Sequence, residues 1–224
     1  MISDIEKHFT ASTRELFKAL QSRDYDIGFE VRSKIDDEGT RWGIEDPWVI
    51  VTKDKKRNPS GLAHELLHIE LHWLGFQDAK DIYFELEKIY NVLHYKNLED
   101  INNDLAHLKM VRRFQDLGFK REKFFGESLH DTFSKIHESV DDIDPKNKRE
   151  LAGKFISAYC GIRLFKDFFD ITQEGLEDEL LEKSKSLFPI CREQFSSWIG
   201  GENVDNLHFY TKLLTALKNL GNTY

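Results

Sequence analysis

The sequence has few cysteines and few prolines, with two Cys and four Pro in 224 residues. Two cysteines, Cys160 and Cys191, cannot form a scaffold of several disulfides, and their apolar helical surroundings favour core thiols in a reducing compartment. The scarcity of proline, together with many Leu, Lys, Glu and Phe residues, favours helices. A disulfide-stapled fold is thus excluded, and a helix-rich fold is expected.

No apolar run approaches the length of a membrane span. The longest uncharged stretches, such as residues 155–162, are far shorter than the ~20 apolar residues that cross a bilayer. The first residues, Met1 to Glu6, show neither a basic segment nor an apolar run, so no signal peptide is visible. We therefore expect a soluble, cytoplasmic protein that has no membrane partner.

Basic residues are outnumbered, because 32 Lys and Arg stand against 40 Asp and Glu and give a formal net charge of −8. A negative total argues against a nucleic-acid partner, since such binding depends on neutralising phosphates. Aromatic residues make up 12% of the chain, which excludes intrinsic disorder. The length fits one compact domain, or a core with a helical extension, and leaves the oligomeric state open.

The amino-terminal part of the sequence combines a helix with a small sheet. Ser3 and Glu6 have the spacing of a capping box, and apolar residues at helical spacing follow to about Ser22. From Tyr25 the period changes to two, which indicates strands. The predicted strands cover residues 27–31, 42–44 and 47–52.

A helix with clear start and stop signals follows the strands. Asn58 is a capping residue, Pro59 suits the first helical position, and Gly75 suits the position after the last turn. Beyond Gly75 the sequence predicts no further strand. The predicted helical segments are residues 79–95, 98–117, 120–140, 147–169, 174–186 and 205–220.

These elements predict a helix-dominated α+β fold. A small antiparallel or mixed sheet near the amino terminus packs on the helix that begins at Pro59, and a helical carboxyl half follows. The acidic segment Asp141–Pro145 is the best boundary in the sequence. We therefore predict a core over residues 1–140 and a helical extension over residues 141–224.

Residues 64–68 form the one motif in the sequence that carries chemistry, His-Glu-x-x-His. Residues four apart lie on one face of a helix, so the imidazoles of His64 and His68 can reach a single metal ion. Glu65 lies about 100° round the helix from His64. It is therefore placed to hydrogen-bond a water molecule that the ion holds, and to take its proton.

The surroundings of this motif favour metal binding over chance. The helix is otherwise strongly apolar, which predicts that His64, Glu65 and His68 are at least partly buried. An unpaired polar group costs about 1–3 kcal/mol when it is buried, and coordination of a metal removes this cost. The alternative is that the two histidines and the glutamate satisfy one another by hydrogen bonds in the core.

A strand, a short loop and a His-Glu-x-x-His helix resemble the core of the zincin metallopeptidases, in particular small bacterial zincins with a reduced sheet, the minigluzincins. The resemblance covers about residues 25–120 and implies zinc ligands at His64 and His68 and a general base at Glu65. The sequence departs from the long metzincin motif, because Leu71 and Leu74 stand where Gly and His are needed. The later Glu-x-x-x-Asp stretch of thermolysin-like enzymes has only a near relative, Glu99 to Asn103.

The third ligand is the open question of the site. His72 is excluded, because eight residues of helix rise ~12 Å between His64 and His72. His107 is the best candidate, since it adjoins an apolar stripe that directs it inward, and Asn103 and Asp104, about one turn earlier, are placed to orient imidazoles. Asp104 is a competitor for the ligand position. The alternative for the whole stretch is an acidic helix start with one semi-buried histidine.

Two functions from different classes follow from these residues. The first is a zinc-dependent hydrolase, a metallopeptidase whose zinc-bound water is activated by Glu65 and whose substrate is a peptide or protein. The second is a non-catalytic helical interaction module with a structural or vestigial zinc site, which Asp104 would close as a fourth ligand. The remaining histidines are expected to be surface or capping residues, namely His8, His94, His130, His137 and His208.

Overall fold

A computed structural model describes residues 5–32, 42–45, 48–87, 93–125, 129–169 and 175–220. Helix α1 (Ala11–Gln21) precedes strands β1 (Gly28–Val31), β2 (Trp42–Glu45) and β3 (Val49–Thr52). The helices that follow are α2 (Pro59–Trp73), α3 (Ala79–Glu87), α4 (Tyr95–Asp116), a 3₁₀ turn (Arg121–Lys123), α5 (Leu129–Asp141), α6 (Lys148–Phe169), α7 (Leu176–Lys183), α8 (Leu187–Gly200) and α9 (Asn206–Asn219). The predicted helix-dominated α+β class is confirmed.

Contacts within the chain define two compact units. The first unit consists of residues 1–73 and 110–126, and the second of residues 74–109 and 127–224. Helix α4 therefore contributes its last seven residues to the first unit and the rest to the second. These boundaries differ from the division at residue 140, which stays a prediction. None of the described helices is both long enough and apolar enough to cross a membrane.

The first unit contains a three-stranded sheet in the order β1-β3-β2. Strand β1 runs parallel to β3, with Gly28 opposite Val49, and β2 runs antiparallel to it, with Trp42 opposite Thr52. The central strand β3 is buried from Ile50 onward, as its β-branched residues suggest. Helix α2 packs against α1 and β2, so the mixed sheet lies on the His-Glu-x-x-His helix as predicted.

Helix α2 begins where the sequence places its start signals. The Asn58 side-chain oxygen accepts hydrogen bonds from the Gly61 amide at 3.1 Å and from the Ser60 hydroxyl at 2.9 Å. Pro59 occupies the first helical position, where no amide proton is needed. After Trp73 the chain turns at Gly75, whose φ of 104° suits glycine.

Helix α1 starts later than predicted. It begins at Ala11, because Thr10 caps it: the Thr10 hydroxyl accepts from the Thr13 amide at 3.2 Å, and the Thr13 hydroxyl accepts from the Thr10 amide at 2.8 Å. A separate turn precedes it at Ile5–His8. The predicted box at Ser3 lies outside the described residues. A threonine pair with reciprocal bonds therefore sets the start of the helix.

Helix packing around α6 forms the core of the second unit. Helices α5, α7 and α8 contact α6, and α9 contacts α8. Large buried rings fill the interior, such as Tyr159 on α6, Phe195 on α8 and Phe209 on α9. Their ring centroids lie 5.2–5.4 Å apart in successive pairs. The described residues after Gly75 contain no strand, in agreement with the sequence.

A buried amide network fixes the segment that opens the second unit. The Asn206 side chain donates to the Gln77 carbonyl and to the Asn102 side-chain oxygen, both at 2.8 Å, and accepts from the Gln77 amide at 2.8 Å. Asn102 donates to the same Gln77 carbonyl at 3.1 Å. Asn206 is fully buried, and these bonds satisfy its amide group.

Candidate metal centre

Helix α2 places the two histidines of the motif side by side. The Nε2 atoms of His64 and His68 lie 3.2 Å apart. Two nitrogen ligands held at 2.0–2.1 Å from a tetrahedral zinc ion are separated by about 3.3–3.4 Å. The spacing therefore fits two ligands of one ion, as well as a hydrogen bond between the rings.

The tautomer of His64 follows from a backbone contact. Its Nδ1 atom lies 2.9 Å from the carbonyl oxygen of Phe124, just after the 3₁₀ turn, and the two rings are 4.6 Å apart. A carbonyl oxygen only accepts, so Nδ1 carries the proton and donates it. In the neutral ring the lone pair is then on Nε2, the atom that faces His68. A backbone carbonyl in this position orients a metal-binding histidine.

His107 completes a group of three. It lies on α4 with 6% of its surface exposed. One ring nitrogen from each of His64, His68 and His107 lies within 4.8 Å of the other two. The group could hold a metal ion, and its members are the three histidines that the sequence selects as candidate ligands. Among the described residues, neither Asp104 nor His72 belongs to it.

The two motif histidines are electrically suited to a cation. Burial lowers the pKa of His64 to about 4, opposed by its hydrogen bond to Phe124. Burial, and then the proximity of His64, lowers the pKa of His68 to about 3. Both rings are therefore neutral near pH 7, which is the form that binds metals.

Glu65 is buried beside this group without belonging to it. Its exposed fraction is 7%, and burial raises the pKa of its carboxyl to about 8. A cation held by the neighbouring histidines would favour the charged carboxylate. Its position next to His64 on α2 is the one expected of a group that exchanges protons with water rather than binding the ion.

The acidic residues of α4 differ in exposure. Glu99 and Asn103 are exposed, whereas Asp104 is half-buried. Burial, and then the charge of Asp100, raises the pKa of Asp104 to about 7. Asp104 also influences the titration of Cys160 and Tyr210, so its carboxyl lies close to the core of the second unit. The predicted role of Asp104 and Asn103 in orienting imidazoles stays a prediction.

The outlying polar residues of α2 have partners that the sequence does not reveal. The Nδ1 atom of His72 lies 3.0 Å from the Tyr25 hydroxyl, and its ring packs on Trp48 at 4.5 Å. Glu70 pairs with Arg113 and keeps only 15% of its side chain exposed. Helix periodicity shows which face a residue lies on, and it does not show what another segment brings to that face.

His8 corrects the expectation for the isolated histidines. It is fully buried, and its Nδ1 accepts from the Asn58 amide at 2.8 Å, directly before α2. His94, His137 and His208 are exposed, as expected. The side chain of His130 lies outside the described part.

Comparisons with protein-family models, with curated proteins and with solved structures give no match to this chain. The resemblance to zincins therefore rests on the motif and its sequence context, and it stays a prediction.

Proposed function

We propose that the protein is a zinc-dependent hydrolase, a metallopeptidase that acts on peptide bonds. The observation that carries this proposal is the group of three imidazoles, in which two Nε2 atoms are 3.2 Å apart and a nitrogen of His107 lies within 4.8 Å of both partners. Three nitrogen ligands are a usual set for catalytic zinc. The two histidines of the motif and His107 supply such a set.

His64, His68 and His107 would hold the ion through ring nitrogens. Zinc, when bound, supplies a Lewis acid and lowers the pKa of a water molecule toward ~7. The Glu65 carboxylate, next to His64 on α2, would hold a proton taken from water and pass it to the leaving amine. Phe124 keeps His64 in the tautomer that presents Nε2.

The ligand set favours catalysis over a structural zinc site. A structural site is closed by four protein ligands, whereas a catalytic site keeps one position for water. Among the described residues the group has three members, and Asp104 is not one of them. A non-catalytic interaction module with a structural site would require a fourth ligand.

Zinc content and a substitution at Glu65 test the proposal. We expect about one zinc per chain in protein purified without chelators. Glu65→Gln should keep the zinc and abolish hydrolysis of a peptide library, because an amide cannot accept the proton. His64→Ala is the matched variant that should lose the zinc. Absence of any bound transition metal, or loss of zinc from Glu65→Gln as severe as from His64→Ala, would contradict the assigned roles.

The third ligand is tested by three alanine variants. His107→Ala should lower zinc affinity steeply, by more than the 10–100-fold that follows loss of an orienting partner. Asp104→Ala should stay within that range, and His72→Ala should have little effect. Isothermal titration with a competing chelator measures all three. If Asp104→Ala empties the site while His107→Ala keeps full occupancy, the carboxylate is the ligand.

A further inference from the structure

An ion pair between Glu70 and Arg113 joins α2 to the last turns of α4. The Arg113 guanidinium donates to both carboxylate oxygens of Glu70, from Nε at 3.1 Å and from an Nη atom at 3.2 Å. Glu70 keeps 15% of its side chain exposed, and Arg113 keeps 48%. The pair is therefore bidentate, and its carboxylate is largely shielded from solvent.

The pair differs from other ion pairs described in the first unit. Arg14 and Glu6 each keep more than 40% of their side chains exposed, and so does Glu45 beside Arg32. Exposed pairs contribute little to stability, and Arg113 itself is partly exposed. A bidentate guanidinium–carboxylate pair contributes more through its fixed planar geometry than through stability. That geometry defines the register of the two helices that carry the pair.

Both partners lie close in sequence to candidate ligands. Glu70 follows His68 by two residues on α2, a rise of about 3 Å, and Arg113 follows His107 by six residues on α4, a rise of about 9 Å. A slip of one turn along α4 would displace His107 by about 5.4 Å. Metal–ligand distances tolerate only about 0.2 Å. A contact that fixes the register of α4 against α2 therefore decides whether the three imidazoles can meet.

We propose that Glu70 and Arg113 are positioning residues that fix α4 against α2 and so hold His107 at the distance required for metal binding. The inference rests on the proposed metal centre. Neither side chain contacts the ion, and each acts through the helix that carries it.

Paired substitutions at these two positions test the inference. Arg113→Gln should weaken zinc binding by about 10–100-fold, the range for groups that orient ligands. Arg113→Lys keeps the charge and loses the planar fork, so it should also bind zinc more weakly than the wild type. The double exchange Glu70→Arg with Arg113→Glu should recover at least tenfold of the loss. Arg14→Gln, which breaks the exposed pair with Glu6, is the matched control and should bind zinc like the wild type.

The measurements separate positioning from general stability. Zinc affinity comes from chelator competition, and the visible spectrum of the cobalt-substituted protein reports the coordination geometry. We expect the cobalt spectrum of Arg113→Gln to change while the thermal midpoint of the metal-free protein stays near that of the Arg14→Gln control. Wild-type zinc affinity and an unchanged cobalt spectrum in Arg113→Gln would overturn the inference. So would a loss that the double exchange does not recover. A wild-type protein that binds no metal overturns the proposed function as well, which distinguishes the two failures.

Discussion

The two units differ in charge and in how they are held together. The first contains 16 basic and 16 acidic residues, and the second 16 basic and 24 acidic residues, so the net charge of −8 belongs to the second unit. In the first unit, polar side chains anchor the start of α2, through Asn58 to His8 at 2.8 Å and to Asp54 at 2.6 Å. In the second, buried rings pack between helices. Directional contacts thus hold the start of α2 in the first unit, and packed apolar rings fill the interior of the second.

This difference predicts where a substitution does most damage. Removal of buried apolar atoms lowers the free energy of unfolding in proportion to the volume removed. A directional contact depends instead on the position of a single atom. The stability of the first unit should therefore be sensitive to small added groups and to pH. The stability of the second unit should be sensitive to the removal of large side chains.

The largest effect is expected from Phe195→Ala in the second unit. Phe195 is fully buried, with Tyr159 and Phe209 at ring distances of 5.4 and 5.2 Å. Removing a buried phenylalanine costs about 3–5 kcal/mol, from lost burial and the cavity left behind. Phe84→Ala is the control, because 55% of Phe84 is exposed. Urea unfolding measures both, and equal losses would show that the second unit does not depend on this packing.

A single methyl group should destabilise the first unit. A Cβ atom at Gly61 would lie 2.5 Å from Nε1 of Trp42, whose ring is fixed by a 2.6 Å hydrogen bond to Asp54. Gly61→Ala should therefore cost about 1–3 kcal/mol, the usual range for overpacking. At Gly200 in the second unit a Cβ would meet nothing within 4 Å, so Gly200→Ala should be neutral or stabilising. Thermal unfolding of both variants checks the contrast, which a stable Gly61→Ala variant would contradict.

The smallest effect is a pH dependence at His8. Burial, above all, lowers the pKa of His8, although its bond to Asn58 opposes this shift, and nearby charges on Lys7, Asp54 and Arg57 contribute with different signs. Because the folded pKa lies below the unfolded one, the unfolded chain binds more protons in acid, and the contribution of His8 is present above about pH 6.5 and is lost as the pH falls.

His8→Gln isolates that contribution, since its side-chain oxygen can accept from the Asn58 amide and does not titrate. Between pH 7.5 and pH 5, the wild type should lose stability relative to the variant, by about the 1 kcal/mol that one hydrogen bond contributes. Urea midpoints at several pH values measure the difference. A constant difference across this range would contradict the assignment.

Patterns within one segment of the sequence predicted most of the fold. The alternation at Phe29 and Val31 predicted β1, and the signals at Asn58 and Gly75 predicted both ends of α2. Helix α8 was missed, because Pro189 interrupts its pattern. Pro189 is the third residue of that helix, where the amide has no partner within the helix and proline is tolerated.

The candidate site was predictable to the extent that it is local. The spacing of His64 and His68 sufficed for the first pair, and the apolar stripe beside His107 gave the third member of the group. The Phe124 carbonyl could not be predicted, because a backbone oxygen has no sequence signal. The pairing of Glu70 with Arg113 joins residues 43 positions apart, and no spacing rule relates them.

Because both cysteines lie in the second unit, their reaction with a thiol reagent measures how often that unit opens. Cys160 and Cys191 are the only thiols in the chain; both belong to the second unit, are fully buried, and have pKa values raised by burial. A thiol reagent can therefore reach them only in molecules whose second unit has opened. Labelling rates measured in native buffer would give the opening frequency of that unit alone, because the first unit has no thiol and contributes no labelling.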